Sequence, residues 1–171
     1  MRLSVIRWIA LVLLIAAPLA WADVATQAAA NRYVGGQPSA DDLQRLAASG
    51  VRHVINLRPA AEHTGYDESA AVAAEGMQYH NLPVAGAADI SFANAQALDA
   101  LLADIGDEPV LLHCASGNRV GALMALRAAM QGQDDEAAIA EGRRWGMTRL
   151  EPLVRQRLQE QDCLLATTSP C

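Results

Sequence analysis

At 171 residues the chain has room for one domain and is short for two. Hydrophobic residues make up 52% of it but aromatics only 4%, so any core must be built from Ala, Leu, Val and Ile. All 13 basic residues are Arg, and the net charge of −6 excludes the broad cationic surface that nucleic acid or an anionic membrane needs; a local positive site for a small anion stays open.

The first 22 residues place Arg2 and Arg7 before a short apolar run and end on Ala20-Trp21-Ala22, a small-x-small cleavage pattern. Residues 1–22 read as a secretory signal peptide cleaved after Ala22. The rival is an uncleaved anchor, but the run is short for a span and Pro18 breaks it. The mature chain is then expected in the periplasm or outside the cell, with no membrane contact once the leader is gone. Residues 23–31 are small and Ala-rich and read as a linker.

The segment "RYVGGQPS" (32–39) predicts a short edge strand and a turn. Ser39 opens a helix through "SADDLQRLAASG", with Asp42 as capping-box partner and Gly50 as the stop. "VRHVINL" (51–57) predicts a strand, "ESAAVAAEG" a helix after a loop, and "MQYHNLPV" (77–84) a further strand. "FANAQALDALLADIG" (92–106) is amphipathic at helical spacing, and "PVLLHC" (109–114) is apolar enough for a buried strand. Three helices follow: "RVGALMALRAAMQG" (119–132), "DDEAAIAEGRRWG", and "TRLEPLVRQRLQ" with Thr148 and Glu151 as a second capping box.

Strands alternating with helices predict an α/β fold in three layers, a mostly parallel central sheet with helices on both faces. Ligands of such sheets bind at the carboxyl ends of the strands. That rim would collect Asn56–Arg58, Pro83–Ala88 and His113–Arg119.

The segment "HCASGNRVGA" (113–122) carries the chemistry. A buried strand enters a short loop, and the loop opens directly into a helix. The loop amides and the first helical N–H groups lack helical acceptors and converge on one point, where the helix dipole adds roughly half a positive charge. Gly117 permits the backbone angles of an anion nest, so the backbone of Ala115, Ser116, Gly117 and Asn118 forms a cradle that the planar guanidinium of Arg119 closes. A thiol in that field is expected to titrate below its ordinary value of about 8.5, which makes Cys114 a candidate nucleophile. His113 is expected to support the loop through a hydrogen bond to backbone. The plainer reading is a buried cysteine before a helix with an Arg on the helix surface.

Together with "GGQPSADDLQRLAASGVRHVINLRP" and "GMQYHNLPVAG", the segment "HCASGNRVGALMAL" resembles the beta-lactamase-hydrolase-like phosphatase-like domain family, a bacterial branch of the protein tyrosine and dual-specificity phosphatase superfamily. The resemblance covers about residues 32–160, leaving 161–171 as a polar C-terminal tail. It implies a phosphatase-like Cys-loop-helix architecture and a phosphate monoester hydrolase, with Cys114 attacking phosphorus and Arg119 binding the phosphoryl oxygens. Three departures stand out. Four residues separate Cys114 from Arg119, one fewer than the usual phosphatase spacing; Val120 stands where a hydroxyl residue follows the Arg; and Ala85 and Gly86 stand where the general acid is expected. Asp89 is the candidate general acid, with capping of the next helix as its alternative; Glu62 and Asp67 are further candidates. Arg58 is a candidate anion ligand or one half of a surface ion pair.

The loop also resembles that of single-domain rhodaneses, so a sulfurtransferase working through a Cys114 persulfide is a second reading. A third is an anion-binding module without turnover. No metal-ligand cluster or dinucleotide motif is present in the sequence, and no cofactor is expected; the implied partner is a small anionic or phosphorylated substrate. The mature chain holds Cys114, Cys163 and Cys171. Cys163 and Cys171 are close in sequence and form the natural disulfide pair, leaving Cys114 free. Mass analysis of the untreated mature protein should show one disulfide and one alkylatable cysteine; three alkylatable cysteines would contradict that pairing.

Overall fold

The computed structural model describes residues 25–63 and 65–165. The signal peptide read at 1–22 and the Cys163–Cys171 pairing lie outside the described residues and side chains. In chain order the elements are β1 (Ala25–Ala29), β2 (Arg32–Gly35), α1 (Ala40–Ala48), β3 (His53–Asn56), α2 (Glu68–Ala74), β4 (Gln78–Asn81), α3 (Phe92–Ile105), β5 (Val110–His113), α4 (Asn118–Met130), α5 (Asp135–Arg144) and α6 (Glu151–Leu165). Short 3₁₀ turns at Ala60–Glu62 and Ala87–Asp89 interrupt the loops after β3 and β4.

The five strands lie in the order β1-β2-β5-β3-β4, with β2, β5, β3 and β4 parallel. Buried strands of this kind read as continuous apolar runs, and alternate side chains serve opposite faces. Leu111 and Val54 face one way, packing with Leu43 and Leu46 of α1 and Val72 of α2. Val110, Leu112 and Ile55 face the other, against Leu98 and Leu102 of α3 and Leu123 and Leu126 of α4. Two apolar layers on one sheet give the three-layer arrangement expected from the sequence.

Three local expectations are corrected. Residues 25–29, read as part of a linker, form the antiparallel edge strand β1, which makes β2 an inner strand. The turn between them uses Asn31 at φ 56°, a left-handed conformation that Asn tolerates. Ala-rich sequence hid the strand because small side chains leave almost no alternation to read. The Ser39–Asp42 capping box is present, but Thr148 and Glu151 do not form another. Glu151 reaches Arg143 and Arg155, while Thr148 donates its N–H to Asn118 Oδ1 at 2.8 Å. Finally, α6 continues to Leu165, into the stretch read as tail.

Helices α4 and α5 approach closely through two glycines. A Cβ on Gly121 would run into the backbone N of Met147 and the carbonyl of Gly142, neither of which can swing aside. Gly121→Ala should therefore destabilise the protein by about 2 kcal/mol or more. Thermal unfolding measures it, and an unchanged Tm would refute the close packing.

Candidate active site

Register makes the rim. In the parallel pairs Gly35 lies opposite His113, His113 opposite Asn56, and Asn56 opposite Asn81. Four strands thus end level with one another, and the loops that follow leave from a common edge. The segments read from sequence as rim candidates meet there.

Cys114 follows β5 directly and is 1% exposed. The chain then turns through Ala115 and Ser116, both exposed, and Ser116 forms an antiparallel bridge with Gly36 beyond β2. Gly117 stands at φ 80°, the left-handed conformation that an anion nest uses. A side chain there would be strained, which explains the glycine. The first bond of α4 runs from Gly121 N to Gly117 O at 3.0 Å. The N–H groups of Gly117, Asn118, Arg119 and Val120 precede it and have no acceptor within the helix. Asn118 turns its side chain the other way and accepts from Thr148 N and Leu150 N, so it anchors the loop to the segment before α6.

Arg119 is held from behind. Its Nη1 and Nη2 donate to Glu62 Oε1 and Oε2 at 2.8 and 2.6 Å, and Nη1 donates again to Val84 O at 2.7 Å. A guanidinium carries five N–H bonds in one plane. Glu62 and Val84 take three, leaving Nε–H and the second Nη2–H as a side-on fork. The Cys114 sulfur interacts with this guanidinium. Hydrogen bonding to Glu62 raises the Arg119 pKa despite burial, so its charge is permanent.

Glu62, considered as a proton donor, is placed instead as a brace. Its bond to Arg119, aided by the charges of Arg119 and Arg58, outweighs partial burial and holds its carboxyl below the ordinary value of 4.5. Such a group keeps no proton near neutral pH. Arg58 stands behind it, with Nε 3.6 Å from Glu62 Oε2 and Nη1 bonded to Gln37 Oε1. At 9% exposure Arg58 is not part of a surface ion pair. Guanidinium, carboxylate, guanidinium and thiol therefore alternate from Arg58 to Cys114.

Asp89 caps no helix: Ser91 is the N-cap of α3. Asp89 Oδ2 accepts from Ala85 N at 2.8 Å and so closes its own loop, whose Val84 carbonyl already meets Arg119. The loop read as the acid-bearing one is thus joined to the site. Asp67 caps α2 through Ala70 N.

Behind Cys114, His113 is fully buried and faces two oxygens: Nδ1 is 3.4 Å from Cys114 O, and Nε2 is 2.7 Å from Glu68 Oε1. The backbone contact is long, and the carboxylate partner was not anticipated. Asn56 joins the two networks, donating Nδ2 to Glu68 Oε2 at 2.8 Å and accepting Arg58 N at 2.7 Å. Nothing in the sequence marks Glu68, which looks like an ordinary acidic residue in a helix's first turn.

The sequence model described as "Beta-lactamase hydrolase-like protein, phosphatase-like domain" matches residues 23–131. A beta-lactamase hydrolase-like protein of Agrobacterium fabrum is 33% identical over 112 residues, covering 63% of this chain and 26% of that protein. The chain thus spans about a quarter of the length of the curated relatives it matches. Among solved structures, the Neisseria meningitidis protein nma1982 superposes with TM-score 0.64 at 24% identity, over 78% of this chain and 95% of that one. A kinase associated phosphatase with serine substituted for its catalytic cysteine superposes with TM-score 0.60 at 16% identity, over 79% and 88%.

The brace has a pH signature. Because the folded Glu62 pKa is lowered, its stabilisation is complete above the ordinary 4.5 and is lost as pH falls through the lower folded value. Tm curves of wild type and Glu62→Gln, taken from about pH 7 to about pH 3, should be separated at the upper end and converge at the acidic end. A constant separation would show that the charge of Glu62 is not involved.

Proposed function

Because the chain belongs to the phosphatase-like domain family of beta-lactamase hydrolase-like proteins, we propose that it hydrolyses phosphate monoesters through Cys114, after export to the periplasm or out of the cell. The observation that supports this reading is Arg119, whose side-on fork is left untouched by Glu62 and Val84 and lies beside the buried Cys114. That fork matches two oxygens of a phosphoryl group. The helix N–H groups and the Gly117 nest supply further donors to the third oxygen.

In the first step the Cys114 thiolate attacks phosphorus, the Sγ–P bond forms, and the P–O bond to the leaving group breaks. Asp89 donates its proton to the departing oxygen. In the second step water attacks the cysteinyl phosphate, Asp89 takes up the water's proton, and Cys114 leaves as thiolate with release of phosphate. Charge building on the phosphoryl oxygens is met by donors that are already in place. Val120 is fully buried and has no hydroxyl, so departure of the thiolate rests on the loop N–H groups and Arg119.

The mature protein should hydrolyse aryl phosphates, and Cys114→Ser should abolish turnover. Asp89→Asn should lower kcat about 100-fold or more for alkyl phosphates, whose leaving groups need a proton, and much less for nitrophenyl phosphate. Thiosulfate sulfurtransferase assays run beside these distinguish the rival chemistry. A Cys114 persulfide with background phosphate release would overturn the hydrolase reading.

A further inference from the structure

The turn that carries Asp89 has little of its own to hold it. Val84 and Ile90 are buried at its two ends, but Ala85, Gly86, Ala87 and Ala88 between them are exposed and carry at most a methyl group. A segment with so little buried apolar surface keeps its shape through hydrogen bonds. Asp89 accepts two: from Ala85 N to Oδ2 and from Asn94 Nδ2 to its carbonyl oxygen, each at 2.8 Å. Both partners are near in sequence, so these bonds set the form of the turn without fixing where it stands. A proton donor must come within roughly 2.6–3.2 Å of the oxygen it serves, so the placing of the turn matters as much as its form.

Arg157 of α6 ties this turn to the body of the protein. Its Nε donates to Ile90 O at 3.2 Å and its Nη2 to Ala87 O at 3.4 Å. These carbonyls stand on either side of Asp89, at the first residue of the 3₁₀ turn and just beyond its last. The third nitrogen, Nη1, donates to Glu160 Oε2 at 2.8 Å, which leaves the opposite edge of the guanidinium turned to the loop. A planar fork can bridge two carbonyls in this way; a lysine ammonium is a single point. Helix α6 is itself fixed, since Val154 and Leu158 are buried in the same core cluster as Val84 and Ile90. Val84 O meanwhile meets Arg119. The loop with Asp89 is therefore held at its start by the cysteine loop and at its end by α6. The second hold comes from 67 and 70 positions away, beyond the residues 23–131 that the family model matches.

We propose that Arg157 is a positioning residue that clamps the turn around Asp89 and so sets the reach of the proton donor to the leaving-group oxygen. The role rests on the reading of Asp89 as the general acid of a phosphate monoester hydrolase. The Arg157 bonds go to Ala87, Ile90 and Glu160 and not to Cys114 or Arg119. Its loss should therefore be felt where a leaving group needs a proton and hardly at all where it does not.

The experiment compares kcat/KM, which covers the departure of the leaving group, for glycerol 2-phosphate and nitrophenyl phosphate. An alkoxide needs a proton to leave and a nitrophenolate does not. In Arg157→Ala the value for the alkyl ester should fall about tenfold, while that for the aryl ester stays within about twofold. Asp89→Asn should show the same selectivity more strongly. Adding Arg157→Ala to it should cost nothing further, because no proton is left to place. Amide hydrogen exchange over residues 85–90 should quicken in Arg157→Ala. Arg157→Lys keeps the charge beside Glu160 but cannot span both carbonyls. It provides the second variant should Arg157→Ala fail to fold, and should show the same selectivity to a smaller extent. Equal losses on both esters, an additive double variant, or unchanged exchange at 85–90 would overturn the role of Arg157. No phosphate release from the wild type, or an Asp89→Asn variant unimpaired on the alkyl ester, would instead overturn the reading on which the role rests, while quickened exchange in Arg157→Ala would still show the clamp.

Discussion

A guanidinium that must grip an anion beside a thiol needs its other edge held. Glu62 does this with both carboxylate oxygens, and Val84 adds a carbonyl. Long arginine side chains lose considerable rotamer freedom when fixed, roughly 2 kcal/mol. A bidentate carboxylate supplies that ordering before any ligand arrives, which is what preorganisation means for a binding site. The contact also links separate parts of the chain: the 3₁₀ turn after β3, the loop after β4 and the helix after β5 all meet at Arg119. The local arrangement would come apart if any of the three were displaced.

The parallel sheet makes that meeting possible. Because His113 is registered with both Gly35 and Asn56, the ends of three adjacent strands lie in a row. Asn56 exploits the alignment from the end of β3, serving Glu68 with its amide nitrogen and the Arg58 backbone with its oxygen. Two carboxylates thus reach the cysteine loop by different routes. Glu62 contacts Arg119 on one side of the loop, and Glu68 contacts His113 on the core side. Both are buried enough to interact strongly and paired enough to remain charged.

The parts legible in the sequence were those set by local rules. The run Val110–His113, the loop ending in Gly117 and the apolar helix after it announce a strand, a nest and a dipole within ten residues, because each is a short-range property. Ser39 and Asp42 were readable for the same reason. The strand at 25–29 was hidden because alanine has little side chain with which to signal a face. Thr148 and Glu151 had the spacing of a capping box, yet long-range partners, Asn118 for one and Arg143 and Arg155 for the other, outcompeted the local bond. Glu68 was invisible for a related reason: a buried carboxylate is justified only by the imidazole and amide around it, and those come from distant strands. Glu62 was identified as chemically relevant but in the wrong role, since the arginine that holds its pKa down is 57 positions away.

Arg119 is braced on one edge by Glu62 and turns the other toward Cys114, so an oxyanion should enter without disturbing the brace. A crystal structure of Cys114→Ser with bound phosphate or tungstate tests this directly. Two anion oxygens should sit about 2.8 Å from Arg119 Nε and Nη2, with Glu62 still bound across Nη1 and Nη2. An anion that displaces Glu62 from Arg119, or one that binds away from the Cys114–Arg119 loop, would contradict it.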